Sequence, residues 1–380
     1  MEERGVSVTM DKVKVLHILT LIEGRGEYGG PVTVARTLQE VSLSSQYQLH
    51  LLGGRRNSDP SRSGSNPTDC IIRVKPIIKK RQISSLISIN FVATLSREIR
   101  NSQIVHLHFA RDLVQIIAGF ICILFRKPFF VQTHGMIRRK ESLIVGFLDR
   151  LTIVPILKRA RTCFVLSEIE ERNLEEVYSN IHIEILRNGF KFGELPEEDT
   201  QLSHEVNIVF CSRLHSTKGV RYFCELAKHF KDNRRYVFTI FGPDGGELDW
   251  VQEFILEDNE MNLVYAGSLA GDLVLEKLFR SDLLVLPSNY DPYPMVVLEA
   301  LSVGTPVLIN SECGQSEQIE KINPDFVYEG ANSESLIQAF QAINPGKVNL
   351  ASRTGLKNSY KDVFGIESVW ETLRGFYDES

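Results

Sequence analysis

The sequence is poor in the features that would settle its class at once. It has six cysteines, Cys70, Cys122, Cys163, Cys211, Cys224 and Cys313, with no CxxC and no paired spacing. That excludes a disulfide framework and a cysteine zinc site, and reads as small buried apolar side chains in a reducing compartment. Long hydrophobic runs are missing too. The greasiest stretch, LVQIIAGFICILF (113–125), has 13 residues and contains Gln115. It falls short of the roughly 20 apolar residues that span a bilayer, and it is expected to be a buried helix. The opening MEERGVSVTMDKVKVLHILT lacks the layout of a signal peptide, because its acids come early and its apolar run is only a short strand. The expected location is cytoplasmic, with peripheral contact to the inner membrane face as an extension. The Gly-rich stretch EGRGEYGGPVTV (23–34) matches neither GxGxxG nor a P-loop, which argues against a dinucleotide dehydrogenase and a Walker NTPase. No Asp-x-Asp and no histidine set with ligand spacing is visible, so no metal is expected.

What is present is ordinary in bulk and informative in pattern. The 380 residues exceed what one core usually supports, so two domains of roughly 150–200 residues are expected. The net charge of −5 is unevenly spread: residues 71–161 hold 17 Lys/Arg against 4 Asp/Glu, a local +13 that leaves −18 for the remainder. A basic half beside an acidic half suits an anionic partner for the former. VKPIIKKR (74–81), FRK (125–127) and IRRKESL (137–143) interleave cations with apolar residues. That pattern fits an anionic membrane surface better than nucleic acid, for which no binding motif accompanies the charge.

Short β-branched runs alternate with helical spacing, which predicts parallel sheets covered by helices on both faces. The predicted strands are 12–20, 47–54, 104–109, 128–135 and 162–168, then, after a polar acidic linker, 206–214, 236–242, 263–269, 282–288 and 306–310. The predicted domains are 1–192, a linker over 193–205, 206–360, and a closing amphipathic helix over 361–380. The Ser/Pro/Arg-rich stretch RRNSDPSRSGSNPTD (55–69) is expected to be a mobile loop. In open α/β sheets, ligands bind beyond the carboxyl ends of the strands, and the informative residues lie there.

The densest such stretch is NYDPYPMVVLEALSVGTP (289–306). Pro292 and Pro294 stiffen the turn, Pro294 suits a first helical position, and Gly304 suits the stop. Asp291 then precedes a helix N-terminus, and Glu299 lies more than a turn inside an apolar helix. A carboxylate there needs partners, and ribose hydroxyls qualify, while free N–H groups at the helix start suit an anion. Equally, Asp291 could be a turn cap and Glu299 the partner of an arginine. In FCSRLHSTKGV (210–220), Arg213 and Lys218 stand five apart after a strand and can converge on a diphosphate, or else remain solvated. FGPDGGE (241–247) adds a Gly-rich turn, and QTHG (132–135) ends a strand on His134. His106 and His108 alternate on a strand, with packing favoured for at least one.

Together and in this order, YGGPVTVARTL, IVHLHF, VQTHG, VLSEIEERNL, LRNGF, CSRLHSTKGV, LLVLPSNYDPYPMVVLEALSVGTPVL and GQSEQI resemble the family 4 retaining glycosyltransferases, and the resemblance covers nearly the whole chain. It implies the GT-B fold: two Rossmann-like doubly wound domains facing a central cleft, with the C-terminal helix returning to the first. The family's two acids separated by seven residues read here as Asp291 and Glu299. The resemblance implies that Glu299 holds the ribose and that Asp291 contacts the donor sugar. It gives the N–H groups of Met295 and Val296 to the sugar or distal phosphate, and Arg213 and Lys218 to the departing diphosphate. Gly29, Gly30 and Gly242 would border the donor, and His134 would lie near the reacting carbon. No cofactor is implied beyond the donor substrate, a UDP- or GDP-linked sugar. The acceptor would be a glycan or lipid-linked hydroxyl in cell-envelope polysaccharide or glycolipid synthesis. The alternatives are another sugar-nucleotide enzyme, such as an epimerase, or a non-catalytic sugar-nucleotide-binding partner. Asp in place of the family's first Glu, and Pro294 where many members have Gly, leave the donor open.

Overall fold

The structure, a computed structural model, describes residues 12–22, 29–55, 68–76, 86–138, 143–195, 204–258, 262–269 and 271–380. The 56–67 part of the expected mobile loop, residues 196–203 of the linker, and 23–28 of the Gly-rich stretch lie outside them, as do Lys79, Lys80, Arg81, Arg139 and Lys140. The chain divides into two compact units. The first draws on Met1–Val165, Asn173–Glu184 and Trp370–Ser380, the second on Leu166–Arg172 and Ile185–Val369.

The first part of the chain forms β1 (Val13–Leu21), α1 (Gly29–Val41), β2 (Tyr47–Arg55), β3 (Cys70–Arg73), β4 (Lys75–Pro76), β5 (Leu86–Ile87), α2 (Ile89–Asn101), β6 (Ile104–His108), α3 (Leu113–Leu124), β7 (Phe129–Gln132), α4 (Leu143–Arg159), β8 (Cys163–Val165), α5 (Glu168–Glu175) and β9 (Ile183–Ile185). The sheet order is β3-β2-β1-β6-β7-β8-β9, with a separate antiparallel pair β4-β5. β1 pairs in parallel with both β2 and β6, so Val15, Leu16, Ile18 and Leu19 are buried, as a central parallel strand requires. Strand order reverses between β1 and β6, the switch point of this sheet.

α3 departs from the expected buried helix. Its inner face, Val114, Gln115, Ala118, Gly119 and Cys122, is buried, but Phe120 and Leu124 are 40% and 75% exposed. The polar interruption is explained by Gln115, whose Nε2 donates to the Ile18 carbonyl at 3.0 Å. α4 was not legible, because its apolar residues do not gather on one face and it carries Pro155 in its interior.

The second part forms β10 (Val206–Cys211), α6 (Val220–His229), β11 (Tyr236–Phe241), α7 (Leu248–Glu257), β12 (Leu263–Tyr265), α8 (Gly271–Phe279), β13 (Leu283–Leu286), α9 (Met295–Ser302), β14 (Val307–Asn310), α10 (Ser316–Ile322), β15 (Val327–Tyr328), α11 (Ser333–Ile343), α12 (Leu350–Phe364) and α13 (Ile366–Asp378). Its sheet order is β12-β11-β10-β13-β14-β15, with every registered pair parallel. The switch point lies between β10 and β13, where Ile208 faces Leu283 and Val209 faces Leu284. One apolar cluster fills this unit, from Val206 and Phe210 through Leu284 and Val297 to Phe364. All six cysteines are free thiols, four of them buried. No helix among the described residues is long and apolar enough to cross a membrane.

Candidate functional site

Two loops leave the carboxyl ends of β10 and β13 at the second unit's switch point; Arg213 and Lys218 sit on the first, Asp291 sits on the second, and Met295, Val296 and Glu299 lie on α9 just beyond it. The loop after β10 runs through Arg213 into a short 3-10 turn, Ser216–Lys218. Gly219 follows at φ +72, and a Cβ there would stand 1.9 Å from the Pro287 carbonyl oxygen. Only glycine allows this approach, which brings Lys218 beside the loop after β13. Asn289 N–H reinforces it by donating to the Thr217 carbonyl at 3.0 Å. Gly242 has the same logic at the end of β11, since its Cβ would stand 1.8 Å from the Ser212 carbonyl oxygen.

Lys218 Nζ donates to Asp291 Oδ2 in a close ion pair. Asp291 is buried, and burial pushes its carboxyl pKa up, against the pull of Lys218 and the Tyr293 N–H. Its backbone is also tied down: Gly314 N–H donates to the Asp291 carbonyl at 2.9 Å. Pro294 differs from the sequence expectation. It stands outside the helix as the N-cap, with ψ 112, and α9 starts at Met295. The N–H groups of Met295 and Val296 are therefore the first of the helix and have no acceptor inside it.

Glu299 lies in the second turn of α9. No hydrogen bond or ion pair to its carboxylate is made among the described residues, so the arginine partner weighed from sequence is absent there. Burial raises its pKa to about 7. A half-hidden carboxylate without partners is costly and is ready to accept from hydroxyl donors. Arg213 is exposed at the rim, its stem lying against Gly245.

The same unit gathers residues to which sequence reasoning gave no role. Glu168 opens α5, and its Oε1 accepts from Arg187 at 2.6 Å and from Gln318 at 2.8 Å. Asn188 places its Nδ2 3.9 Å from Met295 Sδ. Gln315 Nε2 donates to the Pro294 carbonyl at 2.9 Å. Three separate motifs, VLSEIE, LRNG and GQSEQI, thus meet near the start of α9. Ser288 Oγ, Asn289 Oδ1, Tyr293 OH, Asn188 Oδ1 and Gln315 Oε1 are buried without a hydrogen-bond partner among the described residues. Such atoms are open to a hydrogen bond from an ordered water or a polar ligand. The signal that could have found them was polarity next to strand ends, which many structural residues share.

In the first unit, Gly29 and Gly30 are the first two residues of α1, with open space where a Gly30 Cβ would stand. His134 follows β7, buried, with φ +49. It ends a chain of buried rings. His134 Nε2 meets His108 Nδ1 at 2.8 Å, His108 Nε2 meets His17 Nδ1 at 3.1 Å, and His17 Nε2 meets Tyr377 OH at 3.2 Å. Tyr377 OH also meets His106 Nδ1 at 2.8 Å. Desolvation lowers the pKa of all four histidines, to about 3 for His106 and His134, so they are neutral near pH 7. They form a line rather than a shell, and no group of three or more His, Cys, Asp or Glu among the described residues is placed to hold a metal ion. His106 and His108 pack as anticipated, but the whole ladder, with Tyr377 supplied by α13, was not visible in sequence.

Comparison with known proteins agrees with this fold. Residues 195–354 match the family model described as glycosyl transferases group 1. The chain is similar to the UDP-Gal:alpha-D-GlcNAc-diphosphoundecaprenol alpha-1,3-galactosyltransferase of Escherichia coli, with 26% identity and 97% of each chain covered. It also resembles an uncharacterized 41.2 kDa protein of the cps region of Klebsiella pneumoniae, with 24% identity over 81% of this chain and 83% of that one. Among solved structures, Anabaena HepE in complex with UDP and glucose superposes with a TM-score of 0.71 at 15% identity, covering 97% of this chain and 100% of that one.

Proposed function

From a chain that belongs to the group 1 glycosyl transferases and has the GT-B fold, we propose a retaining transfer of a sugar from a UDP- or GDP-sugar to a hydroxyl of a glycan or lipid-linked acceptor. The observation that carries the donor half is Glu299, a carboxylate without a partner among the described residues, on the helix that follows the Lys218–Asp291 pair. In this reading Glu299 accepts the two ribose hydroxyls. Arg213, Lys218 and the Met295 and Val296 N–H groups face the diphosphate, and Asp291 accepts from a hydroxyl of the donor sugar. Gly242 leaves room for the donor beside the loop after β10. As the bond from the anomeric carbon to the diphosphate lengthens, positive charge builds on the sugar and negative charge on the leaving oxygen. Fixed cations and helix N–H groups stabilise the latter without rearranging, and this charge set makes a metal-independent reaction the reading we adopt. His134, Gly29 and Gly30 are proposed to serve the same reaction from the first unit.

The E. coli relative is named for a UDP-galactose donor and a diphosphoundecaprenol-linked acceptor, which favours cell-envelope assembly for this chain. The test is release of nucleoside diphosphate from UDP-galactose, UDP-glucose, UDP-N-acetylglucosamine and GDP-mannose in the presence of diphosphoundecaprenol-linked sugars, with the product anomer read by NMR. Transfer with retention, lost in Asp291→Ala and His134→Ala, is expected. Donor binding without transfer to any acceptor would favour a non-catalytic partner, and an inverted product would remove the retaining reading.

Peripheral contact with an anionic membrane is part of the same proposal. It is supported by α4, where Ile144, Phe147, Leu148 and Leu151 are 73%, 63%, 49% and 54% exposed at helical spacing. Arg150, Lys158 and Arg159 are exposed on the same helix, while its one described acid, Asp149, is buried and paired with Arg111. An apolar stripe beside cations suits an anionic lipid surface. Flotation with phosphatidylglycerol vesicles, reduced by Phe147→Ser with Leu151→Ser, is the expected result; equal flotation of both proteins would remove this part.

A further inference from the structure

We propose a second anion site in the first unit, at the opposite end of β7 from His134. It is a pocket of about 260 Å³ at the amino ends of β7 and β8, and Arg126, Lys127, Arg159 and Arg161 supply four of its eight lining residues. No Asp or Glu lines it, and Cys122 and Phe129 contribute to its apolar wall. Lys127 is engaged with the backbone, since its Nζ donates to the carbonyls of Arg100 and Ser102, each at 2.7 Å. The guanidinium groups of Arg126, Arg159 and Arg161 have no ion pair or hydrogen bond among the described residues. Unpaired guanidiniums around one concavity are the arrangement that takes a tetrahedral oxyanion, because each presents a planar fork of donors.

The backbone adds an independent sign. α3 ends in a Schellman arrangement, with Lys127 N–H donating to the Cys122 carbonyl at 2.9 Å and Arg126 N–H to the Ile123 carbonyl at 3.1 Å. Arg126 therefore holds the left-handed position, at φ +52, where glycine is the usual residue. The fold keeps an arginine in a strained place whose side chain lines the pocket. A cation here also offsets the helix dipole, but an exposed lysine in the last turn would do so without strain.

The ligand class is a phosphate group, mono- or diesterified. Its source is either a phospholipid headgroup or a soluble phosphate compound. The site is independent of the transfer reading, and donor binding serves as the control.

The test uses the full chain and two probes: inorganic phosphate, followed by calorimetry, and phosphatidylcholine vesicles with and without phosphatidylglycerol, followed by flotation. Arg126→Gln with Arg161→Gln, both outside α4, is expected to weaken binding about tenfold, the loss that removing charge-assisted hydrogen bonds brings. Arg126→Gly, which relaxes the backbone, is expected to weaken binding as well while raising the melting temperature. UDP-hexose binding should stay unchanged in all of them. Losses in both arms assign the site to a lipid headgroup, and a loss with inorganic phosphate alone assigns it to a soluble phosphate compound. Phosphate and vesicle binding that are both absent, or both insensitive to the variants, would overturn the site. Phe147→Ser with Leu151→Ser should reduce flotation but leave phosphate binding intact, which separates this pocket from the α4 stripe.

Discussion

The charge state of Glu299 makes the donor reading testable by pH alone. Its pKa is about 7 in the folded protein, raised by burial. Accepting two ribose hydroxyls requires the carboxylate, so a bound donor favours the ionised form and pulls that pKa down. Binding should then strengthen with rising pH. With a free-protein pKa near 7, the apparent Kd of a UDP-hexose should rise about tenfold from pH 8 to pH 6, or about 1.4 kcal/mol. The diphosphate diester of the ligand does not titrate in that interval. At pH 7 binding should release about half a proton, measurable by calorimetry in buffers of different ionisation enthalpy. Linkage gives a second sign. A carboxyl whose folded pKa lies above its unfolded value of 4.5 takes stability from the ligand-free protein as pH rises from 4.5 to 7, roughly 3 kcal/mol in all, and the loss is complete above 7. Glu299→Gln should therefore be more stable than the parent at pH 8, bind the donor more weakly, and lose the pH dependence. A flat Kd from pH 6 to pH 8, or a Gln variant that keeps the slope, would refute the reasoning.

Lys218→Ala should destabilise the second unit by about 3–5 kcal/mol, because it leaves Asp291 buried and unpaired, and adding Asp291→Asn should restore most of that in denaturant unfolding. Gly219→Ala should cost at least about 3 kcal/mol and abolish donor binding, since its Cβ would meet the Pro287 carbonyl at 1.9 Å; wild-type calorimetry from this variant would contradict the packing. His106 and His134, with pKa near 3 when folded and 6.5 when unfolded, stabilise the first unit fully above pH 6.5 and lose that effect as pH falls toward 3, by about 1.4 kcal/mol per pH unit each. Asp112, raised to about 6 by burial, offsets part of this below pH 6. Trp370 fluorescence in a Trp250→Phe background should show earlier melting at pH 5 than at pH 7.5, and unchanged or later melting would count against the ladder. Arg126→Gly should gain roughly 1 kcal/mol by thermal unfolding, the relief of a left-handed non-glycine residue.

The doubly wound sheets were legible because parallel strands buried on both faces read as continuous apolar runs, as β1 and β13 do. α4 and α3 show where that reading weakens: an apolar helix on the surface has the composition of a buried one, and Pro155 hides helix continuity. Within the candidate site, the positions of Asp291, Arg213 and Lys218 just beyond strand ends, and of Glu299 inside the following helix, were legible. The direct pairing of Lys218 with Asp291 was not, because it depends on a Gly219 contact 68 residues along the chain at Pro287. The histidine ladder was equally hidden, since His17 and Tyr377 come together only through β1 and α13.

The most direct measurement is calorimetric titration of the purified protein with UDP-, GDP- and ADP-hexoses, with and without magnesium. Binding confined to one of the expected bases, uridine or guanosine, indifferent to magnesium and weakened about tenfold or more by Glu299→Gln and by Lys218→Ala, is the expected result. Absence of binding by every one of them, or binding that both variants leave unchanged, would contradict a donor site at the β10–β13 switch point.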